Sequence, residues 1–152
     1  MTTVAAKVST GEIAADTMVS DDETFYSASK LRVGKDCIYG ACGTWKHIIT
    51  AFNAMETGVK EWDSESDIEI LELRKDGIYI YDGTPIPFRI MNDFWAVGSG
   101  APFAIAAMEL GFSPLEAVKL ACKYDVGSRE PIEHYKLEGA IAKTKSNRRR
   151  NN

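Results

Sequence analysis

Apolar positions along this chain switch between a strand period and a helix period, and the switches divide it into elements. "TTVAAKVS" and "EIAAD" predict two strands joined at a Thr10-Gly11 turn. An acidic loop, "SDDE", follows, then a short extended piece ending in "SASKLRV" and a buried strand in "DCIYGAC". From Thr44 the period becomes helical, with Trp45, Ile48, Ile49, Phe52 and Met55 on one face and Gly58 after the end. Beyond a loop at "WDSESD", the alternating run "IEILELRKDGIYIYDG" predicts a hairpin turning at Asp76-Gly77. "DFWAVGSG" leads a strand into the helix "APFAIAAMELG", with Pro102 in its first turn. Ser113 and Glu116 have capping-box spacing for a further helix, "PLEAVKLACKYD", and a last extended segment, "PIEHYKL", closes the ordered pattern.

Strands first, then a helix, more strands and a helix pair predict antiparallel sheets with helices outside, an α+β layered domain rather than a parallel sheet. With 152 residues, 45% of them apolar, the chain is sized for one compact domain with its own core. Residues 1–16 have no basic stretch leading into a long apolar run, and no segment approaches the roughly 18 apolar residues of a membrane span. The expectation is a soluble, cytoplasmic protein. Cys37, Cys42 and Cys122 lack CxxC spacing, and His47 and His134 are the only histidines, so neither a disulfide framework nor a metal site is expected. Residues 138–152 carry +4 and the remainder −8 of the net −4. No aromatic residues interleave the basic ones, so this reads as a solvated, disordered tail in preference to a nucleic-acid contact.

The oddity lies at the start, where a strand begins directly after Met1 with no polar lead-in. Together with "TTVAAKV", the "GACG" junction and the block "WAVGSGAPFAIAAMELGFSPLEAVKLACKYDVGS", this order of segments resembles the proteasome β-type N-terminal nucleophile (Ntn) hydrolases. The similarity is greatest to bacterial HslV (ClpQ) and runs over about residues 2–137. It implies a four-layer αββα sandwich in a single domain, residues 1–137, and a threonine endopeptidase that needs no cofactor. In such a family a Thr becomes the first residue once the preceding one is removed. A Thr hydroxyl is a poor nucleophile without a base beside it, and a free α-amine with a pKa of about 7.7–8.0 is a base poised near neutrality. Only the first residue of a chain owns both groups.

Carried over residue by residue, the resemblance makes Thr2 the nucleophile and Lys30 the ammonium that keeps the amine unprotonated and stabilises the Thr oxygen. Gly40 becomes the oxyanion donor, with Gly43 opening the helix. Ser99, Asp125 and Ser128 gather around the amine. Asp16 is the acidic partner, although the family's count lands on Met18; both share a strand face. As a nucleotide loop "GSGAPF" fails, since Phe103 stands where the third glycine of GxGxxG would be. If the S1 wall maps two residues before the oxyanion glycine, Ile38 lies at its base.

One departure stands out. Where family members place a second long helix after the first, this chain has only "VKEWDSESD" between Gly58 and Ile68, a short member lacking one helix. Trp62 and the apolar face of helix 44–57 would then be covered by another subunit or left partly exposed. The resemblance implies a polypeptide substrate, a homo-oligomeric ring and, as a further partner, an AAA+ ATPase unfoldase. The alternative is a non-proteolytic interaction or assembly module with a vestigial site.

Overall fold

The structure, a computed structural model, describes residues 1–59, 62 and 66–137. In chain order its elements begin with β1 (Val4–Lys7), β2 (Glu12–Asp16), β3 (Met18–Asp21), β4 (Thr24–Ser27), β5 (Leu31–Gly34), β6 (Cys37–Cys42) and α1 (Trp45–Thr57). They continue with β7 (Glu69–Arg74), β8 (Gly77–Asp82), β9 (Phe88–Ile90), β10 (Phe94–Val97), α2 (Ala101–Glu109), α3 (Pro114–Tyr124) and β11 (Ile132–Lys136). One antiparallel sheet has the order β10-β1-β2-β11 and the other β5-β6-β7-β8-β9, with β3 and β4 forming a separate hairpin.

Strand alternation builds the layers. Val4, Ala6, Ile13 and Ala15 point from the first sheet into a core shared with Ile38, Leu71, Leu73, Ile78 and Ile80 of the second. The intervening Ala5 and Ala14, with Ala96, face Ala104, Ala107 and Met108 of α2 and Ala117 and Val118 of α3. Small residues on both sides let the helix pair lie close against the sheet. On the far side Tyr39, Ala41, Ile70 and Tyr81 pack on Ile48, Ala51 and Phe52 of α1. The result is helices, sheet, sheet, helix: the αββα sandwich. Because β1 is buried on both faces, its sequence reads as an apolar run instead of an alternation.

Boundaries follow local chemistry. Ser113 accepts from the backbone N–H of Glu116 at 3.2 Å, so Ser113→Ala is expected to lower stability by about 1 kcal/mol, measurable by urea unfolding. The hairpin expected to turn at Asp76-Gly77 instead pairs Arg74 with Gly77 and turns through Lys75-Asp76. The acidic loop is the tip of a hairpin, in which Asp21 pairs with Thr24 across Asp22-Glu23. That hairpin carries no glycine signal, and β9 is too short and too close to Pro85 and Pro87 to show a period. Among the described residues α1 is the only helix on its face, and none of the helices is long and apolar enough to cross a membrane. The basic tail expected over 138–152 lies outside the described residues.

Candidate active site

Thr2 sits just before β1, where the central pair of strands in the first sheet delivers it to a cleft of about 530 Å³. The cleft is lined on one side by Met1, Thr2, Lys30, Gly43, Thr44 and Asp67. Its apolar wall comes from Met18, Val19, Trp45 and Ile48.

Two separate polar systems hold the hydroxyl and the nitrogen of Thr2. Its hydroxyl accepts from Lys30 Nζ at 2.9 Å and donates to the carbonyl of Met1. Lys30, only 1% exposed, also donates to Asp16 Oδ1 at 3.0 Å and to the Met1 carbonyl at 3.3 Å. Three acceptors around one nitrogen match the three donors of an ammonium. Burial holds the Lys30 pKa below its usual value, and the Asp16 carboxylate opposes that fall. Asp16, fully buried at the end of β2, accepts further bonds from the backbone N–H groups of Thr3 (3.0 Å), Met18 (3.2 Å) and Arg129 (3.2 Å). The two-residue offset in the count from Thr2 therefore does not keep Asp16 away from Lys30.

On the other side, the Thr2 nitrogen donates to Ser99 Oγ at 3.2 Å. Asp125 Oδ2 accepts from Ser99 Oγ at 2.7 Å and from Ser128 Oγ at 2.6 Å. A carboxylate only accepts, so both hydroxyl protons are committed to it and Ser99 turns a lone pair toward the Thr2 nitrogen. Thr3 Oγ1, unremarked in the sequence, joins the chain at 2.7 Å from Ser128 Oγ. The turn carrying Ser99 lies directly on the Thr2–Thr3 backbone. Gly98 has φ +97°, and a side chain there would collide with the Thr2 carbonyl. Gly98→Ala is accordingly expected to destabilise by at least about 1–3 kcal/mol from backbone strain, read as a lower denaturation midpoint.

Gly40 is not among the residues that line this cleft. It lies inside β6, and a side chain on it would meet Leu31 and Val4 between the two sheets and the Lys30 carbonyl. Ile38, on the same strand face, is fully buried in the inter-sheet core and cannot line a specificity pocket. Gly43 is the glycine that lines the cleft with Thr2, at φ +126°, with the Asp67 carbonyl and Ile68 Cα 3.0 Å from where a Cβ would stand. The next residue, Thr44, is fixed by Asp67, whose carboxylate accepts from its N–H at 3.1 Å and its hydroxyl at 2.7 Å. Asp67 also pairs with His47 Nδ1 at 2.9 Å, and these bonds hold its carboxyl down at about 2, His47 contributing most. No sequence signal marks Asp67, because its partners lie twenty or more positions back.

The thiols are poorly placed to act as nucleophiles. Burial pushes Cys37 up to about 11 and Cys42 and Cys122 up to about 12, so none is a thiolate near neutrality. No cluster of metal-ligating side chains occurs among the described residues.

No protein-family model matches the sequence, and no curated protein matches it. Solved structures do. Eukaryotic HslV from Trypanosoma brucei superposes with a TM-score of 0.67 at 21% identity, over 88% of this chain and 97% of that one. This chain has the HslV fold. Two structures of Thiobacillus denitrificans BPH share it at 19% identity and 90% coverage of this chain. The one in complex with epoxomicin has a TM-score of 0.65 over 98% of its chain, and the other 0.62 over 97%. Within the HslV fold of this chain, Thr2, Lys30, Asp16, Ser99, Asp125 and Ser128 converge, whereas Gly40 does not.

Proposed function

We propose that this protein is a threonine peptidase that hydrolyses peptide bonds with Thr2 after loss of Met1. One observation carries the reading: the nitrogen and the hydroxyl of the same residue are held by separate polar systems, Ser99 Oγ at 3.2 Å and Lys30 Nζ at 2.9 Å. Met1 is 63% exposed, open to removal by an aminopeptidase. Its loss takes away the carbonyl that now accepts the Thr2 hydroxyl proton and leaves an α-amine as the nearest base. Ser99 takes one amine hydrogen, and the amine's lone pair is free to receive the proton as the oxygen attacks. Lys30 stabilises the oxygen as charge develops, and its like charge disfavours protonation of the amine. Gly43 and Thr44 line the same cleft, and of their N–H groups that of Thr44 is already bonded to Asp67, so Gly43 takes the oxyanion role that the resemblance puts on Gly40.

Met18, Val19 and Ile48 favour an apolar substrate side chain in the cleft. A fluorogenic peptide series tests this and the mechanism together. Because the neutral amine is the base, activity is expected to be low below its pKa and to rise with pH through the region below about 8, since the nearby ammonium lowers that pKa from about 7.7–8.0. A rate independent of pH between 5 and 9 would contradict an amine base.

By analogy of fold, assembly into a homo-oligomeric ring is part of the proposal, with an AAA+ unfoldase as its ATP-driven partner. Light scattering on a sizing column at micromolar concentration is expected to give a multiple of 16.8 kDa. A 16.8 kDa monomer that still cleaves peptides would refute the need for assembly. The rival reading, an interaction module with an idle site, is favoured by one feature: α1 is the only described helix on its face. An inactive monomer would support it.

A further inference from the structure

Lys30 can act on Thr2 only if its backbone is placed correctly, and the segment carrying it, residues 28–30 between β4 and β5, has no ladder of its own. A carboxylate from β11 supplies the anchor. Glu133 Oε1 accepts the backbone N–H of Lys30 at 2.6 Å, and Oε2 accepts the hydroxyl of Ser29 at 2.6 Å. Glu133 is half-buried and pairs in register with Ala15 of β2, while its neighbour Ile132 pairs with Asp16. Arg129, just before this strand, donates its N–H to Asp16 Oδ2. The C-terminal segment thus reaches both members of the Lys30–Asp16 pair, Lys30 through Glu133 and Asp16 through Arg129.

We propose that Glu133 is a positioning residue that sets the reach of Lys30 to the Thr2 hydroxyl, an inference that rests on the peptidase reading. Two short bonds to one planar group fix both the position and the orientation of the Ser29–Lys30 backbone. A Lys side chain has four rotatable bonds, so a backbone left free lets Nζ drift from the 2.9 Å contact. A displacement of about 1 Å in a catalytic group costs on the order of a hundredfold in rate. Loss of Glu133 does not release the segment altogether. Arg32 Nη1 still donates to the Ser29 carbonyl at 3.3 Å and to the Leu31 carbonyl at 2.9 Å, so the expected response is a shift, not unfolding.

The full chain carrying Glu133→Ala or Glu133→Gln tests this. For the alanine variant kcat on a fluorogenic peptide is expected to fall by about 10–100-fold with KM within about twofold of the parent. The glutamine variant is expected within about threefold of the parent, since its amide oxygen accepts from Lys30 and its NH₂ group donates to Ser29 Oγ. Hydrogen exchange of the Lys30 amide gives a readout without activity and is expected to quicken about tenfold or more in the alanine variant, the loss of one protecting bond. Unchanged kcat and unchanged Lys30 exchange in Glu133→Ala would overturn the proposal. So would a loss confined to KM, or an equal loss in both variants. If the parent cleaves no peptide, the peptidase reading falls by itself, while Lys30 exchange still decides whether Glu133 holds this segment.

Discussion

Thr2→Ala is expected to reduce peptide hydrolysis by about a thousandfold or more, the scale on which removal of a nucleophile acts. The change deletes a hydroxyl whose partners are the Met1 carbonyl and Lys30 Nζ, and Lys30 retains Asp16. The unfolding midpoint should therefore stay close to that of the parent. Alanine is also small enough in second position to permit removal of Met1, so the variant isolates the hydroxyl from the amine. Activity within tenfold of the parent would place the nucleophile elsewhere.

The second large effect separates stability from chemistry within the buried ion pair. Asp16→Ala strands an ammonium in the interior and leaves the N–H groups of Thr3, Met18 and Arg129 without their acceptor. Breaking a buried pair by removing one partner costs about 3–5 kcal/mol, and the three orphaned donors add to this. Lys30→Met should behave differently, because Asp16 keeps its three backbone donors and a linear apolar side chain fills most of the space. Its stability loss is expected to be smaller, yet hydrolysis should fall by about a hundredfold or more as the charge facing the Thr2 oxygen disappears. The sign of the pH effect follows. Without the like charge the amine is more easily protonated, so the acidic limb of the activity profile moves to higher pH. Denaturant titration and pH–rate profiles on the two variants distinguish these outcomes, and an unshifted limb in Lys30→Met would remove Lys30 from the mechanism.

Much of the geometry of this candidate site is legible in the sequence because its residues lie at switches between elements. Thr2 stands immediately ahead of the first strand, Ser99 in a turn between strand and helix, and Asp125 and Ser128 just past a helix end. Such positions show in sequence as breaks in periodicity. Gly40 and Gly43 were harder to tell apart, since both sit in "GACG" and only strand direction separates them. Period two puts Gly40 on the face of Ile38, toward the other sheet, and that face is core. Gly43 lies past the end of β6, at a φ of +126° that a strand would not adopt. Asp16 looked displaced by count, yet the chain can gain or lose residues between elements while a buried carboxylate still finds its cation. Glu133 and Asp67 left no trace in the sequence. Each acts across more than twenty positions on a backbone N–H, a donor that every residue but proline carries.

Intact-mass analysis after incubation with a peptide epoxyketone reads whether Thr2 carries a free amine beside its hydroxyl. Such a reagent presents a carbonyl carbon and an epoxide carbon spaced to be attacked by a hydroxyl and an amine on one residue. The expected result is a chain lacking Met1 that gains one inhibitor mass, mapped to Thr2 and absent from Thr2→Ala. Retention of Met1 in the purified protein, or modification at another residue, would contradict it.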